Sequence, residues 1–336
     1  MSTPPFGPEA IFALQAVRTA ARFVRHIQGH LVAPSMIKSD ASPVTVADFA
    51  SQAVVGAMLE QTFPDDPLVA EEGSQTLKES DGGEVLQSVV DFVTRIRPGA
   101  DEAAICRWID LGLGAPAERF WVLDPIDGTK GFLRGDYYAV ALALIQSGQV
   151  VVGALGCPGL DRPGATAGSK GSAYLAVRGQ GAWVAELEEG SLSRVHVSDR
   201  ADPLRARILR SFEAAHTDEY QLDRLAKALG CLEPPARMDS QAKYAVVAEG
   251  GADVIFRLLS PSRPDYREKI WDQAAGSIIV EESGGRVTDI DGKPLDFTAG
   301  RELVNNLGVL VSNGLLHEAA RRALEEVGAA NRQRPE

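Results

Sequence analysis

Phe120-Trp121-Val122-Leu123-Asp124-Pro125-Ile126-Asp127-Gly128-Thr129-Lys130-Gly131-Phe132 is the stretch from which the rest of the chain can be read. Its four leading apolar residues make a short buried strand that ends at Asp124. Two carboxylates separated by Pro-Ile, with Gly and Thr next, put hard oxygen ligands beside free backbone N–H groups. Mg²⁺ selects such oxygens, and the waters it keeps serve as nucleophile or proton source. Residues three apart on a regular strand face opposite ways, so Asp124 and Asp127 need the Pro-Ile turn to converge. An isolated Asp-Pro would be only an Asp at a strand-end bend. Six compatible residues in a row favour a site instead, and so does Glu71-Glu72 at the end of a second short strand, Leu68-Val69-Ala70.

Outward from these strand ends, Asp48 lies near the start of a helix on which Phe49, Ala53 and Leu59 share a face, after the turn-rich Lys38-Ser39-Asp40-Ala41-Ser42-Pro43. Leu14, Val17, Ala21 and Val24, followed by Gly29, predict an earlier helix over about 9–28. Residues 74–118 are polar and glycine-punctuated, and predict an insertion with one helix near 84–96. Tyr138 to Cys157 has no charge over a length that could span a bilayer. Gln146-Ser147-Gly148-Gln149 at its centre makes it a β-hairpin instead. The Gly/Pro-rich segment from Cys157 to Gly171 is the expected boundary, with an N-terminal α+β domain over 1–158 and a C-terminal α/β domain over 159–336. Strands near 172–178, 206–211, 252–258 and 307–312 alternate there with helices near 218–229, 240–249, 271–283 and 314–326.

Composition narrows the class. The 336 residues suffice for about two domains. Lys+Arg number 34 against 46 Asp+Glu, a net charge of −12, which argues against nucleic acid and anionic membrane as partners. Hydrophobic content of 45% with 24% charged residues is that of a folded globular chain. Cys106, Cys157 and Cys231 are too few and too scattered for a disulfide framework or a zinc ribbon. Together with an N-terminus lacking the basic and apolar regions of a secretory signal, they predict a cytoplasmic location. None of this sets an oligomeric state.

The Asp124–Thr129 segment resembles the Asp-Pro-Ile/Leu-Asp-Gly-Thr signature of the lithium-sensitive, Mg²⁺-dependent phosphatases of the inositol monophosphatase superfamily. Trp271-Asp272 followed by Gly284-Gly285 resembles its second signature, and Glu71-Glu72 its first metal motif. Within the superfamily the chain is most similar to 3′(2′),5′-bisphosphate nucleotidases. That similarity lies in Pro43–Asp48, Gly128–Gly135, Met238–Tyr244 and Tyr266–Asp272. The resemblance implies a layered α-β-α-β-α sandwich, mixing α+β and α/β halves, of the inositol monophosphatase and fructose-1,6-bisphosphatase type. It implies two or three Mg²⁺ ions held by Glu71, Asp124, the Ile126 carbonyl, Asp127 and Asp272. Asp124 would bridge two ions, with Glu71 and Ile126 on one and Asp127 and Asp272 on the other. Thr129 and Asp48 would orient and deprotonate the attacking water. The N–H groups of Gly128 and Thr129 would meet phosphate oxygens, and His216, Ser240, Lys243, Arg257 and Lys269 would bind a small-molecule adenosine bisphosphate. Gln273 departs from the pattern, since many relatives carry His after Trp-Asp.

The expected reaction is hydrolysis of the 3′-phosphate of 3′-phosphoadenosine 5′-phosphate to AMP and phosphate, with the 5′-phosphosulfate as a second candidate substrate. An inositol phosphate phosphatase of the same superfamily is the alternative. Haloacid-dehalogenase phosphatases also use Asp-Gly-Thr, but their two aspartates stand two apart rather than three. A binding module without turnover is a further alternative, which a phosphate-release assay separates.

Overall fold

The computed structural model describes residues 6–30, 35–37, 43–78, 83–161, 171–212, 219–259 and 265–329. The chain opens with α1 (Pro8–His30), the ribbon β1 (Ser35–Ile37) and β2 (Pro43–Thr45), α2 (Val46–Thr62) and β3 (Leu68–Ala70). Next come α3 (Gln75–Lys78), α4 (Gly83–Ile96), α5 (Glu102–Asp110), β4 (Arg119–Asp127) and α6 (Thr129–Arg134). A meander of β5 (Ala139–Gln146), β6 (Gln149–Cys157), β7 (Ser172–Val177), β8 (Gly181–Glu186) and β9 (Ser193–Arg194) follows. The rest is β10 (Ile208–Arg210), α7 (Glu219–Leu229), β11 (Ala236–Arg237), α8 (Ala242–Ala248), β12 (Val254–Arg257), α9 (Ala274–Glu282), β13 (Arg286–Thr288), β14 (Val309–Ser312) and α10 (His317–Glu326).

Besides the β1-β2 ribbon, the described residues form a seven-stranded sheet in the order β3-β4-β5-β6-β7-β8-β9 and a five-stranded one in the order β11-β10-β12-β14-β13. Strand alternation explains the layers. On β4, Trp121 and Leu123 join the core under α1 and α2, whereas Phe120 and Val122 join the core shared with α8 and α9. On β12, Ile255 faces that same middle core, while Val254 and Phe256 face α7 and α10. The order helices, sheet, helices, sheet, helices is therefore the expected α-β-α-β-α sandwich. Small residues set the middle spacing: a Cβ on Gly153 of β6 would lie 2.3 Å from Ile278 of α9. Each fully buried Leu, Ile or Val in these cores contributes roughly 1.5–3 kcal/mol.

Three expectations are revised. β4 does not end at Asp124 but runs to Asp127, and its pairing with β5 shifts between them: Asp124 faces Ala141 and Asp127 faces Ala139. Three steps on one strand against two on the other is a β-bulge, and the bulge does the work expected of a turn. The 74–118 insertion holds α3 and α5 besides α4; Asp101 caps α5 and its Ile105 and Ile109 are buried. The change from the first sheet to the second lies between β9 and β10, well after residue 158, because β7, β8 and β9 complete the first sheet. Tyr138–Cys157 forms the expected hairpin, and among the described residues no helix is long and apolar enough to cross a membrane.

Candidate active site

β3 and β4 are parallel, with Ala70 opposite Leu123. Neighbouring strands lie about 4.8 Å apart, so the next residue on each, Glu71 and Asp124, leave the same sheet end side by side. Glu72 parts from Glu71: it is buried, and its backbone N–H and C=O are both held by the Gln52 amide of α2, at 3.0 and 2.7 Å. Ser51, one residue earlier on α2, donates to the Pro125 carbonyl at 2.9 Å and braces the bulge.

Asp48 sits in the first turn of α2 as half of a capping box with Thr45. Its Oδ2 accepts from the Thr45 backbone N–H at 2.8 Å and from the Thr45 hydroxyl at 2.6 Å. Its Oδ1 is thereby left toward Thr129, whose hydroxyl lies 3.3 Å from both Asp48 Oδ1 and the Ile126 carbonyl. Asp48 and Thr129, drawn from positions 81 apart in sequence, are thus neighbours.

Burial pushes the Asp124 carboxyl well above the usual range, and the negative charges of Glu71, Asp127, Asp272 and Asp48 push it further. Burial also raises Asp272, with Asp127, Glu268 and Glu71 adding to the effect and Arg257 opposing it. For Asp127, burial is opposed by Lys243 and Arg257, and the Gln241 N–H donates to its Oδ2 at 2.7 Å. Such a cluster of hard oxygens, each made costly by the others, suits a hard divalent cation by donor chemistry and charge. Among the described residues no three His, Cys, Asp or Glu side chains form a finished cation cage. The carboxylates are mutually repelling neighbours rather than a preformed chelate.

Gly128, between β4 and α6, has φ +89°, and a Cβ on it would lie 2.9 Å from the Ser240 Cβ. Ser240 is itself a non-glycine at φ +68°, a strained conformation that persists where surroundings over-determine it. Its hydroxyl accepts from the Ala242 N–H at 3.2 Å. Lys243 is buried on α8, and its ammonium is pushed down to about 8, by burial first and then by Arg257. Burial alone would raise Asp239, but the Ser211 hydroxyl, the Phe212 N–H, Lys243 and Arg134 hold it below the usual range. Arg257, at the end of β12, meets Asp272 at 3.3 Å and Glu268 at 2.6 Å. Lys269 pairs instead with Glu302. His216 lies outside the described residues.

Sequence reasoning gave no role to Ser51, Gln52, Gln241 or Gln273. Gln241 donates to Asp127 through its backbone, to the Trp271 carbonyl at 3.0 Å through its side chain, and accepts from Gly276 at 2.9 Å. Its place between Ser240 and Lys243 was the only available signal. Gln273, fully buried, donates to Glu268 at 2.8 Å.

The model of the inositol monophosphatase family matches residues 9–329. A 3′(2′),5′-bisphosphate nucleotidase of Schizosaccharomyces pombe is 41% identical over 326 residues, covering 91% of this chain and 92% of the relative. One from Oryza sativa is 38% identical, covering 96% and 95%. In fold, the chain is similar to an IMPase of Thermotoga maritima, with TM-score 0.67, 22% identity and coverage of 96% and 98%. It is likewise similar to CysQ from Bacteroides thetaiotaomicron, with TM-score 0.60, 23% identity and coverage of 93% and 99%. With the layered fold, the strand-end carboxylates and a family match over nearly its whole length, the chain belongs to the inositol monophosphatase family.

Proposed function

We propose that this protein is a Mg²⁺-dependent phosphatase that removes the 3′-phosphate of 3′-phosphoadenosine 5′-phosphate, giving AMP and inorganic phosphate. The observation that supports it most is the meeting of two opposite kinds of group. Lys243 and Arg257 both act on Asp127, and Arg257 also contacts Asp272. Carboxylates that suit cations, beside the buried Lys243 and the partly open Arg257 that suit an anion, fit a substrate with one phosphate at each. The curated relatives named as 3′(2′),5′-bisphosphate nucleotidases support the same reading.

Glu71, Asp124, the Ile126 carbonyl, Asp127 and Asp272 would hold two or three Mg²⁺ ions. When bound, these ions neutralise phosphoryl charge and ease deprotonation of water. Thr129 accepts from the attacking water, and as the water's proton reaches Thr129 Oγ1 the hydroxyl's own proton passes to Asp48 Oδ1. The two Thr45 donors on Asp48 Oδ2 keep that carboxylate aimed. The Gly128 and Thr129 N–H groups steady the phosphate, while Ser240, Lys243 and Arg257 receive the nucleoside bisphosphate; His216 and Lys269 are the remaining candidate contacts that the family resemblance implies. Cys106, Cys157 and Cys231, all thiols rather than disulfides, support a reducing cytoplasm as the place of action.

The alternative, an inositol phosphate phosphatase, draws on Lys269, whose ammonium is paired with Glu302. Phosphate release with Mg²⁺ decides between them. The expected kcat/KM for the adenosine bisphosphate exceeds that for inositol 1-phosphate by at least about tenfold, one charge-assisted hydrogen bond's worth. The reverse order would establish the alternative.

A further inference from the structure

Behind the cationic side of the site runs a buried relay of polar side chains. The Tyr244 hydroxyl of α8 donates to Gln273 Oε1. Gln273 Nε2 donates to Glu268 Oε2 at 2.8 Å, and the same Oε2 lies 2.6 Å from Arg257 Nε. Arg257 Nη2 then reaches Asp272 Oδ2 at 3.3 Å, and the guanidinium also hydrogen-bonds the Tyr266 phenol. Tyr244, Gln273 and Glu268 are at most 4% exposed, so each polar atom left unpaired would be costly.

The order of donors in this relay is dictated. A tyrosine hydroxyl that donates turns the glutamine carbonyl toward itself, so the amide N–H can only face Glu268. Glu268 is thereby fixed as an acceptor. Arg257 stands between two carboxylates, and its Nε, although close to Glu268, is off the line of a hydrogen bond. Charge more than bond direction therefore holds it there. The Arg257 side chain keeps 24% of its surface open, enough for one edge of the fork to meet an oxyanion.

We infer that Glu268, set by Gln273 and Tyr244, is a positioning residue that holds Arg257 off full engagement with Asp272 and presents its open edge to the second phosphate of the substrate. This rests on the reading that Arg257 meets that phosphate. Without the Glu268 charge, Asp272 would be the stronger remaining attractor, and the guanidinium would collapse onto it.

The test is a steady-state comparison of adenosine 3′,5′-bisphosphate with adenosine 3′-phosphate in Glu268→Gln, Arg257→Ala and the double variant. Glu268→Gln is expected to raise KM for the bisphosphate about tenfold with kcat within about twofold, the scale of one charge-assisted contact. KM for the monophosphate stays unchanged. In the Arg257→Ala background Glu268→Gln should add nothing to the ratio of kcat/KM values. A KM that rises equally for both substrates, or an effect that persists in full without Arg257, would make Glu268 merely structural. If Arg257→Ala itself leaves the ratio untouched, the second-phosphate reading fails and this inference with it. Should Glu268→Gln not fold, Gln273→Met, which unlinks Tyr244 from Glu268 but keeps the charge, is subjected to the same comparison. It should shift the ratio in the same direction by less, and an unchanged ratio overturns the inference.

Discussion

Lys243 illustrates how one side chain's surroundings set a measurable pH. Burial and the nearby Arg257 push its ammonium down to about 8, against the pull of Asp127 and Asp239. Below that value Lys243 is charged and can meet a phosphate; above it the charge is lost. KM for the adenosine bisphosphate should therefore climb between about pH 7 and about pH 9 while KM for adenosine 3′-phosphate does not. Flat profiles for both would remove Lys243 from substrate recognition. Single residues were legible in the sequence where chemistry and order coincide, as in Asp124 to Thr129. Gln241 was not, because its role is to reach Asp127 across 114 positions, and an amide has no spacing rule of its own. Gly128 lies between these cases. Its place in the signature was plain, but the reason for glycine, a backbone at φ +89° with the Ser240 Cβ beside it, needs the second half of the chain.

Among the elements, α2 joins stability to chemistry. Thr45 caps it, accepting from the Ala47 N–H at 3.1 Å, and the same residue grips the Asp48 carboxylate twice. Thr45→Ala should cost about 1 kcal/mol of stability, the usual worth of a cap. Because it also removes the hydroxyl grip on Asp48 Oδ2, leaving only the backbone N–H, kcat should fall by up to about tenfold, beyond what a cap alone would cause. Stability lost with kcat intact would separate the cap from the catalytic role. Strands and helices with clear periodicity, α1, α4 and the β5–β6 hairpin, were readable. α5 was not, since its nine residues offer little more than two turns and lie among glycines and charges. The β4 bulge escaped because Pro125 signals a break to any local reading, whereas Ser51 and β5 hold the strand together across it.

At the scale of the molecule, the candidate site draws on residues far apart in the chain, and Arg301 ties them. Its guanidinium donates to the Ala70, Gly112 and Gly114 carbonyls and stacks on the Trp271 ring at 4.9 Å. It thus fastens the residue before Glu71 to the residue before Asp272. Arg301→Met keeps an apolar stem on Trp271 but removes the guanidinium donors from the Ala70, Gly112 and Gly114 carbonyls, of which Gly112 keeps the Ala70 N–H at 2.8 Å; a carbonyl left dry and unpaired costs about 1–3 kcal/mol. The melting temperature should fall by a few degrees, and the Mg²⁺ concentration for half-maximal activity should rise as Glu71 and Asp272 loosen. A lower melting temperature with unchanged Mg²⁺ dependence would confine Arg301 to stability. The layered class could be read from alternating strands and helices, but not where one sheet gives way to the next, because β7–β9 pair by position rather than by composition. The same spacing along the chain orders events on the ribosome. Asp48, Glu71, Asp124 and Asp127 emerge first, and Asp272 follows 272 − 127 = 145 residues after Asp127. At typical synthesis rates that delay is on the order of ten seconds. The nascent chain is without Asp272 and the Arg301 clasp throughout that interval, so turnover that depends on them cannot begin before residue 301 has left the ribosome.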